Sequence, residues 1–457
     1  MRLRMRSLRP IFAVSLCMCI AAAGETSKLQ ERRAQARLSS PTNGTQPTPM
    51  HTPRHYVVAE NGNDASDGSE QRPFRTLQHA ADLVKPGDTV DLRRGNYVGF
   101  NLNSPGGSED HPITFEAEPG AIIYTAAQTG PNHDSGINVE HPAGGTSWVV
   151  FKGFSIFATD GSMERAGIRL TACTHCQVLH CTIQNSAGNW GIFTSQGKDL
   201  LIEGNICKNS GGQHGIYVSR GGGRVVVRQN VLFGNHWDGL HMNGGTEGPI
   251  KDCLIENNVI FGNELTGMDC DGVQDSVFRN NLVYGNEKHA ITLYNRDTAS
   301  GCVGNTFVNN TLISRSMFAL QMQPGSTANE LFNNILEHTG PGVYGSIGVR
   351  GQPQGLVSDY NVVTDDFSMN LGLSHLTLAE WRQRTGQDAH SICVTDLKKL
   401  FANAAANNYH LRPLNSAAWK GAPKVQCPQA PTVDLDGKCR NVHDGLDVGA
   451  YAASTDN

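Results

Sequence analysis

The sequence predicts an all-β protein built as a single-stranded parallel β-helix, a solenoid in which short strands stack turn upon turn. One repeat is a five-residue line that starts with Gly or Ala at positions 191, 215, 239, 267, 290 and 319, which are 24, 24, 28, 23 and 29 residues apart. A second repeat is an alternating segment that ends in asparagine, at Asn205, Asn230, Asn258, Asn281 and Asn310. A period in the twenties built from short strands is typical of a solenoid, because each unit buries its apolar face only against its neighbours.

The alternation within each line predicts which side chains face the interior. Successive side chains of a strand point to opposite faces, so residues two apart share a face. The two inward columns are Ile192, Ile216, Leu240, Met268, Ile291, Leu320 and Thr194, Val218, Met242, Cys270, Leu293, Met322. Both columns are almost wholly apolar, as a dry interior requires. The recurring asparagines are predicted to form structural ladders at the corners, without a chemical role.

The first 23 residues have the order of a secretory signal peptide. Four arginines precede an apolar run, Ile11 to Ile20, and three alanines follow it. That run is too short to span a membrane, so no membrane insertion is expected. Removal of the four arginines changes the formal net charge from −5 to −9, which argues against nucleic acid as a partner. Residues 24–54 lack apolar periodicity and are predicted to be a disordered linker.

The remaining chain divides into three predicted regions. Residues 55–100 form an N-terminal cap and first coil, with one amphipathic helix from Phe74 to Val84 that ends at Pro86-Gly87 and covers the open end of the solenoid. Residues 101–360 form the β-helix. Residues 361–457 form an irregular C-terminal cap, in which Thr377 and Glu380 make a capping box and Gly386 ends a short helix. The segments 409–413 and 447–451 are expected to be the final strands.

The ends of this region carry a resemblance. The opening Tyr56-Val-Val-Ala-Glu-Asn-Gly with Pro86-Gly-Asp-Thr-Val, and the close Asp447-Val-Gly-Ala-Tyr, are similar to those of secreted right-handed parallel β-helix proteins of the pectate-lyase-like superfamily. The resemblance spans roughly residues 55 to 452 and implies a right-handed coil. It does not select a reaction, because this fold hosts lyases, hydrolases, epimerases and pure binders.

The outward columns of four consecutive turns concentrate titratable side chains on one wall. An ordinary outward face carries Lys, Glu, Ser and Thr, so this selection indicates a functional site. Lys288 and Arg296 flank the wall, and Trp190, Phe193 and Phe318 border it. The wall itself consists of His214, Tyr217, Asp238, His241, Asn243, Asp269, Asp271, His289 and Tyr294.

A first scheme for this wall is β-elimination on an acidic polysaccharide. The uronate carboxylate must be neutralised, and a base must then remove the C5 proton. Asp238, Asp269 and Asp271 could hold a calcium ion that bridges to the carboxylate, with Lys288 or His241 as the base. This resembles calcium-dependent pectate lyases, but their consecutive Asp-Asp is missing and Lys288 stands at a corner.

A metal-free variant of the same scheme uses other residues of the wall. His241 and Asn243 would face the carboxylate, and Tyr294 or Tyr217 would serve as base and acid. Remaining contacts to the sugar are expected from His214, Tyr217, Asn243, His289, Arg296 and Trp190.

Two alternatives to a lyase remain open. Asp269 and Asp271 could be the carboxylates of a glycoside hydrolase, and a separation near ~6.7 Å between residues two apart on a strand favours inversion. A non-catalytic glycan-binding protein would instead stack sugars on Trp190 and Tyr294. The sequence therefore predicts a secreted, extracellular or periplasmic, carbohydrate-active protein with an acidic polysaccharide as its partner and a polysaccharide lyase as its first assignment.

Overall fold

A computed structural model describes residues 51–128, 134–158, 160–185, 187–341, 344–394, 396–412, 421, 427–440 and 445–452. The predicted signal peptide and all but the last four residues of the predicted linker lie outside the described residues. Those last residues pack on the first coil, because His51 Nε2 lies 2.6 Å from Asp88 Oδ1 and the Arg54 amide donates to the same oxygen over 2.7 Å.

Three long parallel sheets dominate the described chain, and successive turns contribute a strand to each sheet. The strands of the first sheet are His55–Val58, Thr89–Leu92, Ile113–Ala117, Val149–Lys152, Gln177–Leu179, Leu201–Glu203, Val226–Arg228, Leu254–Glu256, Val277–Arg279, Thr306–Val308, Glu330–Phe332 and Val357–Asp359. The strands of the second sheet are Gly95–Val98, Ala121–Thr125, Ser155–Ala158, Thr182–Asn185, Ile206–Lys208, Val231–Phe233, Val259–Phe261, Leu282–Tyr284, Thr311–Ser314, Ile335–His338, Val362–Val363 and Ile392–Cys393.

The third sheet carries the five-residue lines and is called the site sheet. Its strands are Phe100–Leu102, Ser135–Val139, Ala166–Thr171, Trp190–Ser195, Ile216–Ser219, Leu240–Asn243, Met268–Asp271, Ile291–Tyr294, Leu320–Met322, Ile347–Val349 and Phe367–Ser368. Short parallel pairs join Thr146–Ser147 to Cys173–Thr174 and Ile250–Lys251 to Val273–Gln274. The architecture is the stacked parallel coil that the repeats predict.

The predicted inward columns are confirmed. Ile216, Leu240, Met268 and Ile291 pair in register from one strand of the site sheet to the next, and all four are fully buried. Because side chains alternate along a strand, this register sends the intervening residues to the outer face of the site sheet.

The predicted asparagine ladders are also present. In one of them each Nδ2 donates to the Oδ1 of the next asparagine over 2.9 to 3.1 Å. Its members are Asn205, Asn230, Asn258, Asn281, Asn310, Asn334 and Asn361. The left-handed backbone falls on the residue before a ladder position, as at Asn257 with φ of 56°. That geometry turns the chain while the buried amide satisfies backbone groups of the corner.

The ends of the coil are covered by helices and irregular segments. The helix Leu77–Leu83, capped by Thr76, buries Leu77 against the first coils, and the helix Leu378–Thr385 has the predicted capping box and left-handed Gly386. A further helix spans Leu397–Leu400, and single 3-10 turns span Gly245–Glu247 and Ala404–Ala406. Within the described chain, no helix combines the length and apolarity needed to cross a membrane.

The C-terminal closure differs in one part from the expectation. Phe401–Asn403 pairs antiparallel with Asn408–Leu411, in line with the predicted strand near Tyr409. The prediction of a strand at 447–451 is wrong, because this segment contacts the coil through isolated hydrogen bonds instead. The Gly449 amide donates to the Asn333 carbonyl, and the Ala450 amide donates to Thr311 Oγ1.

Candidate active site

Five polar side chains on the outer face of the site sheet form a continuous chain of contacts, called the polar chain: His214, Asp238, His241, Asp269 and Tyr294. Asp238 Oδ2 lies 3.0 Å from His214 Nδ1 and 3.4 Å from His241 Nδ1. His241 Nδ1 in turn lies 3.3 Å from Asp269 Oδ2, to which the Tyr294 hydroxyl donates over 2.6 Å. The polar chain thus extends from the buried His214 to the half-buried Tyr294 across four turns of the coil.

The outward residues are more enclosed than an open wall would be. His214 and Asp238 are 2% and 3% exposed. Asp238 also accepts the Thr266 amide at Oδ1 over 2.9 Å, so both of its oxygens are occupied. Buried polar groups of this kind must be paired, and here the members of the polar chain pair with one another.

The two histidines of the polar chain differ in charge. Burial lowers the pKa of His214 to about 4, against the opposing effect of Asp238, so this ring is neutral at pH 7. Burial also disfavours charge on His241, but the hydrogen bonds and charges of Asp238 and Asp269 outweigh it and raise the pKa of His241 to about 9. His241 is therefore an imidazolium held between two carboxyl groups.

The pKa values of the acidic groups in the polar chain are shifted in different directions. Burial raises the pKa of Asp269, and the nearby charge of Asp238 adds to the effect against the hydrogen bond from His241. Burial, followed by the charge of Asp269, raises the pKa of Tyr294 well above its usual range. Burial also acts against the charge of Asp238, yet hydrogen bonds from both histidines keep its pKa well below the usual range. The proton therefore stays on Tyr294, whose hydroxyl donates to Asp269.

A cluster of aromatic rings, the aromatic wall, adjoins the histidine end of the polar chain. Trp190 stacks on Phe193 with ring centres 4.4 Å apart, and Tyr217 contacts both rings at 5.4 to 5.5 Å. Trp237 is 39% exposed and packs edge-on against His214. Half-exposed rings beside hydrogen-bonding groups are suited to binding ligands with an apolar face and a polar edge.

Asp271, which the sequence places on the outward wall as a candidate catalytic residue and calcium ligand, does not face solvent. It is fully buried, and its carboxylate accepts the backbone amides of Arg296 and Asp297 and the hydroxyl of Thr298 over 2.6 to 3.2 Å. These bonds occupy both oxygens and fasten the loop after Tyr294. The physical reason is local, since this loop folds back over the end of the strand and covers the position.

Asn243 and His289 are enclosed as well. Asn243 donates to Asp297 Oδ2 over 2.8 Å and so supports the loop that Asp271 holds. His289 lies parallel to Phe318, and its buried Nδ1 has no hydrogen-bond partner within the part of the chain that the structure describes. Burial lowers the pKa of His289 to about 4.

Lys288 and Arg296 are exposed at the edges of the wall. Neither side chain forms an ion pair with another residue of the described ranges. The structure therefore brings Asp238, His241, Asp269, Tyr294 and His214 together as one cluster, with Tyr217 and Trp190 beside it, and leaves Lys288 and Arg296 at the rim.

A family model for right-handed β-helix regions matches residues 132–269 and 166–351, which include the whole polar chain. Together with the parallel register of the three sheets, this match decides the class of the chain. The chain is a right-handed parallel β-helix protein.

Solved structures of similar shape share little sequence with this β-helix protein. The crystal structure of pectate lyase Pel9A superposes with a TM-score of 0.59 at 16% identity, covering 89% of this chain and 98% of that chain. The complex of XylC with xylose superposes with a TM-score of 0.51 at 9% identity, covering 88% and 98%. At these identities the likeness shows the fold alone.

One curated relative is the uncharacterized protein YwoF of Bacillus subtilis (strain 168), which is 38% identical over 61 residues. The match covers 13% of this chain and 13% of that relative.

The predicted calcium ligands of the β-helix protein do not surround a common point. The His241 ring stands between Asp238 and Asp269, and both oxygens of Asp271 are engaged by the loop 296–298. Calcium prefers six to eight oxygen ligands. Among the residues that the structure describes, the group that brings three potential ligand atoms within 4.8 Å of one another is His214, Asp238 and His241. The arrangement does not fit calcium, and no step below depends on a metal.

Two features of the candidate site were not predicted from the sequence. Trp237 precedes Asp238 in a loop, and only the tertiary structure shows that its ring lies against His214. The available sequence signal was the position of Trp237 directly before Asp238, a predicted outward residue. The contacts of Asp297 and Thr298 with Asp271 had no sequence signal, because they depend on how the loop after Tyr294 folds.

Proposed function

We propose that this β-helix protein is a carbohydrate-active enzyme that cleaves a uronic-acid-containing polysaccharide by β-elimination. The observation that carries the proposal is the Tyr294 hydroxyl, half-buried and held 2.6 Å from a carboxylate whose pKa is raised. The fold is shared with a pectate lyase and with a protein solved in complex with xylose, which supports a sugar polymer as the substrate class.

The elimination requires a group that removes the C5 proton and a group that protonates the departing oxygen. Tyr294 meets both needs in the proposed step, because its hydroxyl donates to Asp269, which takes up that proton as the C5 proton arrives. As the tyrosine oxygen accepts the C5 proton, its own proton passes to Asp269. The C5–H electron pair forms the C4=C5 double bond, and the C4–O bond breaks with its electron pair leaving on oxygen. That oxygen takes a proton from Tyr294, which Asp269 then restores.

His241 positions this pair of groups. Its imidazolium lies 3.3 Å from Asp269 Oδ2 and stabilises the carboxylate between turnovers. Asp238, held by Thr266 and His214, fixes the ring of His241 from the other side. In this proposal His241 is a positioning residue, since its raised pKa keeps it protonated at neutral pH and unable to act as the base.

The uronate carboxylate requires a cation, and Arg296 is the group proposed for that role. It is exposed and follows Tyr294 by two residues, and its loop is fastened by Asp271. A guanidinium pairs with a carboxylate through two parallel hydrogen bonds, which fixes orientation as well as charge. The aromatic wall at the other end of the polar chain would stack a neighbouring sugar on Trp190 and Trp237.

An inverting hydrolase that uses Asp269 and Asp271 is disfavoured by the same geometry. A general base must reach a water molecule, but Asp271 is fully buried and both its oxygens accept hydrogen bonds. The hydrolase and the non-catalytic binder are therefore outcomes that the experiment must distinguish, rather than proposals.

The test is incubation of the purified protein with pectate, alginate and other polyuronides while the ultraviolet absorbance of the unsaturated product is followed. Tyr294→Phe is expected to lower kcat by about 10² to 10⁴, the usual contribution of general acid–base catalysis. Tyr360→Phe, a half-buried tyrosine outside the site sheet, is the matched control and should retain activity. Reducing ends without absorbance would indicate a hydrolase, and binding without either product would indicate a binder.

The proposed function also requires that the protein is exported, because a polymer of this kind does not enter the cell. The arginines, apolar run and alanines of residues 1–23 support it. An immunoblot that finds the full-length protein only in the cytoplasm of its host would contradict it.

A further inference from the structure

A cavity of about 180 Å³ lies beside the site sheet, between the loops 323–329 and 350–356. Its floor is apolar and consists of Met322, Val349 and Leu356, each at most 5% exposed. Its rim is polar and includes Gln323, Ser326 and Arg350. At about 30 Å³ for each water molecule, the volume corresponds to about six waters, a space comparable to one sugar ring.

The register of the site sheet aligns this cavity with the polar chain. Leu293 pairs with Met322, and Met322 pairs with Val349. Tyr294, Gln323 and Arg350 are the next residues of those three turns, so they follow one another in one outward column. Turns of a parallel sheet are ~4.8 Å apart, which places the Arg350 backbone about 10 Å from that of Tyr294. A sugar chain that lies along the coil axis over Tyr294 would reach the cavity within one to two units.

The cavity is preformed by backbone hydrogen bonds of its two loops. The Ser326 amide donates to the Gln323 carbonyl over 3.1 Å, and the Ala328 amide donates to the Gln354 carbonyl over 2.9 Å, which holds the two loops together. The Ser326 hydroxyl oxygen is buried and has no hydrogen-bond partner among the described residues. Arg350 is exposed and forms no ion pair with the residues that the structure describes.

We propose that this cavity is a distal subsite that binds one acidic sugar of the polymer, an inference that rests on the proposed function. The ring lies between the loops 323–329 and 350–356, with its C–H face toward the apolar floor of the cavity. Ser326 and Gln323 bond the sugar hydroxyls, and Arg350 pairs with the carboxylate. Oligomers long enough to span Tyr294 and the cavity therefore bind more tightly than dimers do.

The experiment measures binding apart from turnover. Isothermal titration of Tyr294→Phe with oligogalacturonates and oligoguluronates of two and five units is compared with the same variant carrying Arg350→Gln. Arg350→Gln is expected to weaken pentamer binding about 10-fold, the loss of one charge-assisted contact, while dimer affinity changes less than about two-fold. Arg315→Gln, an exposed arginine after a strand of the second sheet, is the matched control and should change neither affinity.

A second variant, Ser326→Leu, fills the cavity and should produce the same selective loss. In the otherwise wild-type enzyme, Arg350→Gln should raise KM for long chains and leave kcat unchanged. Equal losses for dimer and pentamer, unchanged pentamer binding, or no oligomer binding at all would overturn the subsite. Length-dependent binding without cleavage would leave the subsite standing while the lyase proposal fails. If Arg350→Gln leaves the cleavage of long chains unchanged, the lyase proposal stands and the subsite proposal fails.

Discussion

Asp269 and Asp271 lie two residues apart on one strand, yet their surroundings assign them different roles. Asp269 is the last acid of the polar chain, where burial raises its pKa and Tyr294 donates to it. Asp271 is saturated by three consecutive residues of the next loop. A carboxylate beside a potential acid or base can take part in proton transfer, whereas one that accepts a full set of bonds from a loop holds that loop in place.

The two aspartates should therefore respond differently to replacement by asparagine. Asp269→Asn is expected to abolish lyase activity with a melting temperature unchanged or raised, because the buried charge is removed. Asp271→Asn should lower the free energy of unfolding by about 2 to 4 kcal/mol, since an amide nitrogen then faces the donors of the loop. Chemical denaturation and the absorbance assay on both variants check this. Equal destabilisation by the two changes would contradict the assignment.

The raised pKa of His241 predicts how the free energy of unfolding depends on pH. Its pKa is about 9 in the folded chain and about 6.5 when unfolded, so its contribution is complete below pH 6.5 and is lost as pH rises through 9. The shift corresponds to about 3 kcal/mol. At pH 6.5 the free energy of unfolding of His241→Gln should be lower than that of the wild type. It should not show the decrease that the deprotonation of His241 causes as pH rises through 9.

The measurement is urea unfolding of both proteins between pH 6 and 9.5. Buried thiols such as Cys207, whose pKa burial raises, also reduce stability at high pH, so the difference between the two proteins is the relevant quantity. A difference that does not change with pH would refute the charge assigned to His241.

At the scale of the element, the asparagine ladder stabilises the corner between the first and second sheets. Asn258 Oδ1 accepts both the backbone amide and the Nδ2 of Asn230, and its own Nδ2 donates to the Val227 carbonyl and to Asn281. All of these groups are buried, so the loss of one side chain leaves several of them without partners.

Asn258→Ala is expected to lower the free energy of unfolding by about 3 kcal/mol or more, because unsatisfied buried groups cost about 1 to 3 kcal/mol each. The control is Asn96→Ala, an exposed asparagine on a strand of the second sheet, which should change stability by less than about 0.5 kcal/mol. Equilibrium denaturation of the two variants provides the comparison, and similar small effects would show that the ladder is dispensable.

At the scale of the whole molecule, the coil has two ends, and the first is covered by the helix Leu77–Leu83. Leu77 is 1% exposed within the main core, whereas Leu83 on the same helix is 40% exposed. An uncovered solenoid end presents unpaired strand edges, which pair with other chains.

Leu77→Asp should therefore displace the helix and cause concentration-dependent association, visible by light scattering. Leu83→Asp adds the same charge to the same helix at an exposed position and should leave the protein monodisperse at the level of the wild type. If both variants behave alike, the helix does not protect the end of the coil.

Local chemistry made much of this protein predictable from its sequence. The alternation of Ile216, Leu240, Met268 and Ile291 determined the strands, their register and the face on which His214, Asp238, His241 and Asp269 stand, since the side-chain period of a strand is two. The same periodicity placed Tyr294 one turn beyond Asp269. Capping chemistry determined the helix that begins after Thr377.

Only the tertiary structure decided how each outward residue is used. The loop 296–298 folds over Asp271 and removes it from solvent, while His241 turns its Nδ1 toward two carboxylates and excludes a calcium site between them. The cavity beside Arg350 likewise exists because two loops from successive turns meet. Strand periodicity specifies direction, but burial, charge and access depend on irregular loops, whose path no short repeat encodes.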